Sequence, residues 1–282
     1  MTVTIADDFD MAKIAHSGQC FRARALDRDA WLFVTGEHAV LIRALGADLY
    51  DVSCGATEWD AVWRPYFDLD RNYGALRAKH KNRFPFLDTA MDFGRGIRVL
   101  RQDPWETLMT FILSQRKSIP AISHGVEAIA ARWGRRTVLS GTEISFFPTP
   151  PQMTGCCTDD FRELGMGYRS AYMAEAHCAV LSGGLDLGSL ASLSDDDLMA
   201  RLQSLHGVGI KVASCVALYA YGRTAAAPVD VWIRRVIDTH FGGENPFPLF
   251  GEDAGLLQQY MFYYMKSQAP PSEKRRWPDR SL

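Results

Sequence analysis

No stretch of about 18 consecutive apolar residues occurs in this chain, so no membrane-crossing helix is expected. The N-terminus lacks a basic-then-apolar leader, and the expectation is a protein that is not secreted and resides in the cytoplasm. A surplus of positive charge is also missing. The formal net charge is −2, whereas proteins that grip nucleic acid normally draw their phosphate contacts from an excess of Lys and Arg. Composition alone leans away from that class. The six cysteines (Cys20, Cys54, Cys156, Cys157, Cys178 and Cys215) show no ligand-like spacing. Adjacent residues such as Cys156 and Cys157 make a poor metal clamp. With none beyond Cys215, a C-terminal iron–sulfur cluster cannot be built. Reduced structural thiols and no metal site are expected.

What is present suits one large or two medium domains: 282 residues, 47% of them hydrophobic, can bury real cores. Charge can still be arranged in patches, and basic groups do occur together at Arg95, Arg98 and Arg101, at Arg116 with Lys117, at Arg132, Arg135 and Arg136, and from Lys274 to Arg276. Each patch by itself reads as a solvated face. Residues 20 to 45 read as short extended segments, with Trp31 to Val34 and Val40 to Arg43 flanking Thr35-Gly36-Glu37-His38 as a hairpin. The first domain, 1–100, is therefore expected to be an N-terminal antiparallel β-sheet domain. At Asp103-Pro104-Trp105-Glu106 the pattern changes to an N-cap, a proline at the first helical position and an acidic first turn. That predicts a helix to about Leu113. Others are expected at about 119–133, 158–164, 169–181, 194–204, 210–221, 230–240 and 252–266. The fold class is α+β, with residues 101–282 a helical domain and a loosely held tail from about 270. Ser194 with Asp195, Asp196 and Asp197 reads as a helix start, and those acids need no catalytic explanation.

Chemistry concentrates at Leu205-His206-Gly207-Val208-Gly209-Ile210-Lys211. Gly207 and Gly209 permit a sharp turn and close approach of a ligand, and the amides of Val208 to Lys211 open the next helix toward an anion. A plain glycine-rich connection between helices would look similar. Lys211 begins an apolar helix on which positions 211, 215, 218 and 222 share a face, so Lys211 and Cys215 should look into one space. A cation at a helix N-terminus opposes the macrodipole, and apolar surroundings also favour the neutral amine. Such an amine can act as a nucleophile at a sugar carbon, although a lysine that merely contacts phosphate fits equally. Nineteen positions on, Pro228-Val229-Asp230 places a carboxylate at the N-cap of an amphipathic helix. Capping holds it rigidly, which is compatible with stabilising a developing cation or assisting proton transfer.

With these residues in place, the chain resembles the helix-hairpin-helix (HhH-GPD) DNA glycosylase superfamily, and within it the 8-oxoguanine DNA glycosylase family with its AP lyase activity. The likeness includes His16-Ser17-Gly18-Gln19-Cys20-Phe21-Arg22, Tyr66 to Asp70, Gly96 to Pro104, Leu164 to Arg169 and the lysine hairpin. It implies that double-stranded DNA is gripped and bent, and that a damaged nucleotide is flipped into a pocket. There Lys211 would attack C1′ and form a Schiff base with help from Asp230, and β-elimination would nick the strand. Gly18 would accept the N7 hydrogen peculiar to 8-oxoguanine, Phe262 and Cys215 would sandwich the ring, and Gln258 would read its Watson–Crick edge. On periodicity alone Phe262, Met261 and Met265 read as core.

The resemblance makes Tyr168 a wedge beside the gap, Arg169 a reader of the orphaned base, and Gly207, Val208 and Gly209 the phosphate grip. Departures occur where the family carries an asparagine run, here Ser114-Gln115-Arg116-Lys117-Ser118 with Arg116 placed to fill the gap. Ala121 replaces a second base-reading arginine, and Trp232 replaces a phosphate-contacting histidine. No cofactor is implied, apart from a monovalent cation at the hairpin carbonyls, and a monomer is expected. Competing readings are a monofunctional glycosylase for alkylated purines, which Lys211 counts against, and a non-catalytic DNA-holding module.

Overall fold

The computed structural model describes residues 1–269; the tail expected from about 270 lies outside the described residues. By compactness the chain forms two units. Residues 1–33, 40–101 and 222 onward make one, and residues 34–39 and 102–221 make the other.

The first unit opens on a five-stranded sheet formed by β1 (Thr2–Thr4), β2 (Arg24–Ala25), β3 (Ala30–Thr35), β4 (His38–Gly46) and β5 (Leu49–Val52), in the order β1-β5-β4-β3-β2. The β1–β5, β4–β5 and β2–β3 pairs are antiparallel. The expected hairpin is β3–β4, turning at Gly36, whose φ of 51° suits glycine. Its β3 strand is buried along its whole length. Phe67 sits at the heart of the core beside it, with Phe9, Phe33 and Tyr66 edge-on at 5.1, 5.0 and 4.8 Å, each worth about 0.5–1.5 kcal/mol beyond area burial.

Helices accompany the sheet where only extended segments were expected. They are α1 (Met11–His16), then α2 (Ala56–Glu58) and α3 (Arg64–Tyr66) around a π-helical turn Trp59–Trp63, then α4 (Tyr73–His80) and α5 (Pro85–Phe93). None exceeds nine residues, too short to display a helical period over a window of about 11.

In the second unit α6 (Pro104–Leu113) starts at the predicted residue, Asp103 accepting the Glu106 amide at 2.7 Å. It is buried on every side from Trp105 to Leu113, as a helix apolar all round must be. Around it come α7 (Ile119–Trp133), a two-stranded β6 (Arg136–Leu139) and β7 (Thr142–Ser145) ribbon that the sequence reading did not foresee, α8 (Thr158–Glu163), α9 (Arg169–Leu181), α10 (Asp195–Gln203) and α11 (Ile210–Tyr219). Helices α7, α9 and α11 all pack on α6. Ser194 caps α10 as expected, accepting the Asp197 amide. The β3–β4 hairpin tip belongs here because the Gly36 amide donates to Glu106 at 2.6 Å and Thr35 Oγ1 accepts from the Asp103 amide at 3.0 Å.

The first unit resumes with α12 (Val231–His240), a 3-10 turn Phe247–Asp253, and α13 (Ala254–Ser267), which packs on α5 and α12. Among the described residues no helix is long and apolar enough to cross a membrane. The six cysteines are free thiols.

Candidate active site

The hairpin between α10 and α11 is built around one strained position. Gly207 has φ +80°, and a Cβ added there would lie 2.3 Å from Cγ of Tyr172, so only glycine fits. Gly209 is different: it is extended (φ −86°, ψ 177°) at the N-cap of α11, with open space where a Cβ would be. Its lack of a side chain leaves room for a ligand rather than enabling the turn. Val208 is buried and its amide donates to Leu205 O at 3.1 Å. The expectation that the Val208 amide faces outward is therefore corrected: that donor closes the hairpin. Exposed Ile210 marks the open side. Gln115 Nε2 donates to both Ile112 O and Gly207 O at 3.0 Å, tying the hairpin to the end of α6.

Lys211 occupies the first turn of α11. It is half-buried, its Nζ 5.2 Å from the centre of the Phe111 ring, and Phe111 stacks on Tyr219 one face along. Buried Cys215 follows one turn later, on the face the spacing predicted.

The loop after α6 presents an exposed Arg116 with φ +53°, a conformation unusual for a side chain other than glycine, Asn or Asp. Arg169, buried, turns inward: its guanidinium donates to Gln115 O through Nε (2.7 Å) and Nη2, and to Met166 O at 3.3 Å. It also lies 4.4 Å over the ring of Tyr168, which is itself half exposed. Simple core packing is thus not the role of Tyr168. Burial, then repulsion from Arg169, pushes the Lys117 amine below the usual lysine range.

In the first unit Asp230 caps α12, its Oδ1 accepting the amides of Trp232 (3.0 Å) and Ile233 (2.9 Å). Trp232 is half-buried beneath Arg235, 4.8 Å from its ring. Gly18, with φ +80°, follows α1 in a loop held by two glutamines. Gln19 donates to Ser17 Oγ and Arg98 O and accepts the Leu100 amide. Gln259 of α13 donates to Ser17 O at 2.6 Å, wholly buried. This bond ties the Gly18 loop to the helix that carries Gln258 and Phe262. Gln258 is 3% exposed, and its Oε1 accepts no hydrogen bond among the described residues; a buried acceptor in that state calls for a donor. Met261 is fully buried core while Phe262 is half-exposed, so the helix separates two residues that periodicity grouped together.

Gln19, Gln115, Tyr172 and Gln259 were not predicted as site residues. A visible signal did exist for Gln259, a polar residue within the largely apolar first half of α13. Nothing in the sequence pairs Tyr172 with Gly207. Among the described residues no group of His, Cys, Asp and Glu is arranged to hold a metal ion.

A glycine hairpin opening onto a half-buried lysine, inside a helical unit, and a helix-capping aspartate beyond it define the class: a helix-hairpin-helix DNA glycosylase. Residues 2–108 match the family described as 8-oxoguanine DNA glycosylase, N-terminal domain. A probable N-glycosylase/DNA lyase of Methanothermobacter thermautotrophicus is 30% identical over 229 residues, covering 71% of each chain. Among solved structures, MBOgg1 in complex with a low-affinity DNA ligand superposes with a TM-score of 0.90 at 33% identity, over 94% of this chain and 95% of that one. The Clostridium acetobutylicum 8-oxoguanine glycosylase/lyase, bound to double-stranded DNA with cytosine opposite the lesion, gives 0.88 at 30% identity, over 95% and 98%. The chain belongs to the 8-oxoguanine DNA glycosylase, or N-glycosylase/DNA lyase, family.

Proposed function

We propose that this protein excises 8-oxoguanine from duplex DNA and then cleaves the strand, with Lys211 as nucleophile and Asp230 as its supporting carboxylate. The observation that carries the reading is Lys211 itself: an amine half-withdrawn from water against Phe111, at the helix start that follows a hairpin only glycine can make. In the reaction Nζ bonds to C1′ as the C1′–N9 bond breaks and the base leaves with that electron pair and a proton. Opening of the sugar ring gives the Schiff base. Loss of a C2′ proton then expels the 3′ phosphate by β-elimination. Asp230, anchored by two amides, offsets positive charge at the sugar as the base departs. The Oε1 of Gln258, without a hydrogen-bond partner among the described residues, supports its part in reading the base; Gly18 supplies the carbonyl for N7–H, and Phe262 and Cys215 the stacking surfaces. Arg116, Tyr168 and Arg169 serve the gap and the orphaned base, Gly209 and Trp232 the backbone grip, and Gly207 and Val208 shape the hairpin that presents it. The same reading holds the enzyme to be a cytoplasmic monomer needing no cofactor, with a monovalent cation able to use the second lone pairs of Leu205 O and Gly207 O.

Borohydride added during turnover tests the chemistry. A covalent protein–DNA species should form with an 8-oxoguanine duplex and vanish in Lys211→Gln. In Asp230→Asn, whose amide oxygen keeps the helix cap, excision should fall by roughly 100-fold or more while binding persists. Base release without trapping would establish the monofunctional reading instead.

A further inference from the structure

Within the second unit, the turns 114–118, 164–168 and 205–209 are tied to one another through Gln115. Its Nε2 donates to Ile112 O and to Gly207 O of the lysine hairpin, and its carbonyl accepts Nε and Nη2 of Arg169. Two residues on, the Lys117 amide donates to Ser114 O at 3.2 Å and its Nζ to Gly165 O at 3.3 Å. Both neighbours of Arg116 are thus anchored, and they hold it at φ +53°, a backbone state that a long side chain keeps only under restraint. Arg116 is the one exposed residue of 114–118. Among the described residues its guanidinium makes no hydrogen bond, ion pair or ring contact. Arg169 is in the opposite state. It is 7% exposed, its three guanidinium nitrogens donate to the carbonyls of Gln115 and Met166, and Tyr168 covers its face at 4.4 Å. A guanidinium so engaged holds the chain in shape, whereas that of Arg116 keeps its donors for a ligand.

We propose that Arg116 reads the base left opposite the flipped lesion, that Arg169 is a positioning residue holding the turn that presents it, and that 8-oxoguanine is therefore removed fastest opposite cytosine. The inference rests on the reading above, in which a nucleotide is flipped and Arg116 enters its place. A guanidinium only donates. On the edge left unpaired, cytosine alone offers two adjacent acceptors, N3 and O2, which match two parallel N–H groups of the fork. Adenine offers N1 beside a donor. Guanine and thymine place an N–H at the centre of the edge, donor against donor. The reader is thus a residue of the exposed turn, and the buried arginine that the resemblance casts in that role is its brace.

The experiment is single-turnover excision by the full-length enzyme, in excess over duplexes that carry 8-oxoguanine opposite cytosine, adenine, guanine or thymine. Wild type should be about tenfold or more faster opposite cytosine than opposite the other three. Arg116→Lys keeps the charge without the fork, and Arg116→Gly suits the left-handed backbone. In both, the preference should shrink to about threefold or less, and the glycine variant should unfold in urea no earlier than wild type. Arg169→Met, which frees the turn, should also lose the preference. Arg169→Lys, whose amine can still donate to Gln115 O, should restore it to about tenfold. A preference that survives in both Arg116 variants but is lost in Arg169→Lys would make the buried arginine the reader and overturn the proposal. So would an equal loss of rate opposite all four bases in the Arg116 variants, the mark of a plain phosphate contact, or a wild type indifferent to the opposite base. Release of no base from any of the four duplexes would instead overturn the parent reading, so the two failures are distinct.

Discussion

Replacing Gly207 with alanine separates two reasons for a glycine at the hairpin. The first is backbone conformation: at φ +80° a side chain costs about 1–2 kcal/mol. The second is overlap. The new Cβ would lie 2.3, 2.4 and 2.9 Å from Cγ, Cδ2 and Cδ1 of Tyr172, atoms at the root of a ring that cannot swing aside like the end of a flexible chain. That ring is also flanked by His206 at 4.6 Å and Tyr168 at 6.0 Å. Forcing such a contact costs about 1–3 kcal/mol, so Gly207→Ala should lose about 2–5 kcal/mol by urea denaturation. In a Tyr172→Ala background the overlap is gone and the same change should cost only about 1–2 kcal/mol. Because the amides of Gly209 to Lys211 move with the hairpin, affinity for an uncleaved abasic duplex, read by fluorescence anisotropy in Lys211→Gln, should fall about tenfold or more. An equal cost in both backgrounds would refute the contact with Tyr172. Wild-type stability and affinity in the single variant would refute the hairpin geometry altogether.

Two further expectations concern the first unit. Gln259→Leu leaves the carbonyl of fully buried Ser17 without its donor, so urea melts should show a loss of about 1–3 kcal/mol. The ratio of excision rates for 8-oxoguanine over guanine should fall with it, since the Gly18 loop loses its tie to α13. Asp253 governs acid stability: burial pushes its carboxyl up, but the bonds from His80 (2.8 Å) and Lys79 (2.5 Å) outweigh burial and hold it below the usual value. A depressed folded-state value stabilises fully above the unfolded value of about 3.9 and is lost as pH falls through the folded one. The urea midpoint of wild type should therefore exceed that of Asp253→Asn at pH 6, and the gap should close below about pH 4; a gap that persisted at pH 2.5 would count against this account.

Much of the helical structure was legible because its signals are local. Asp103-Pro104, Ser194 with three acids, and Asp230 after Pro228 each cap a helix through bonds spanning two or three residues, and long apolar periods between them set the helix lengths. Gly207 and Lys211 were legible for the same reason. The short helices among residues 11–93 were not, since a helix of three to nine residues is held by what it packs on and carries too little period to be seen.

Residues of the site divide along the same line. The sequence by itself determined the hairpin, the amine after it and the capping carboxylate, because neighbours in the chain create all three. Only the tertiary structure decided that Tyr172 fills the space beside Gly207 and that Gln259 holds the loop of Gly18 across 242 positions. Such pairings depend on which faces packing turns toward each other, and burial rather than residue order sets their strength.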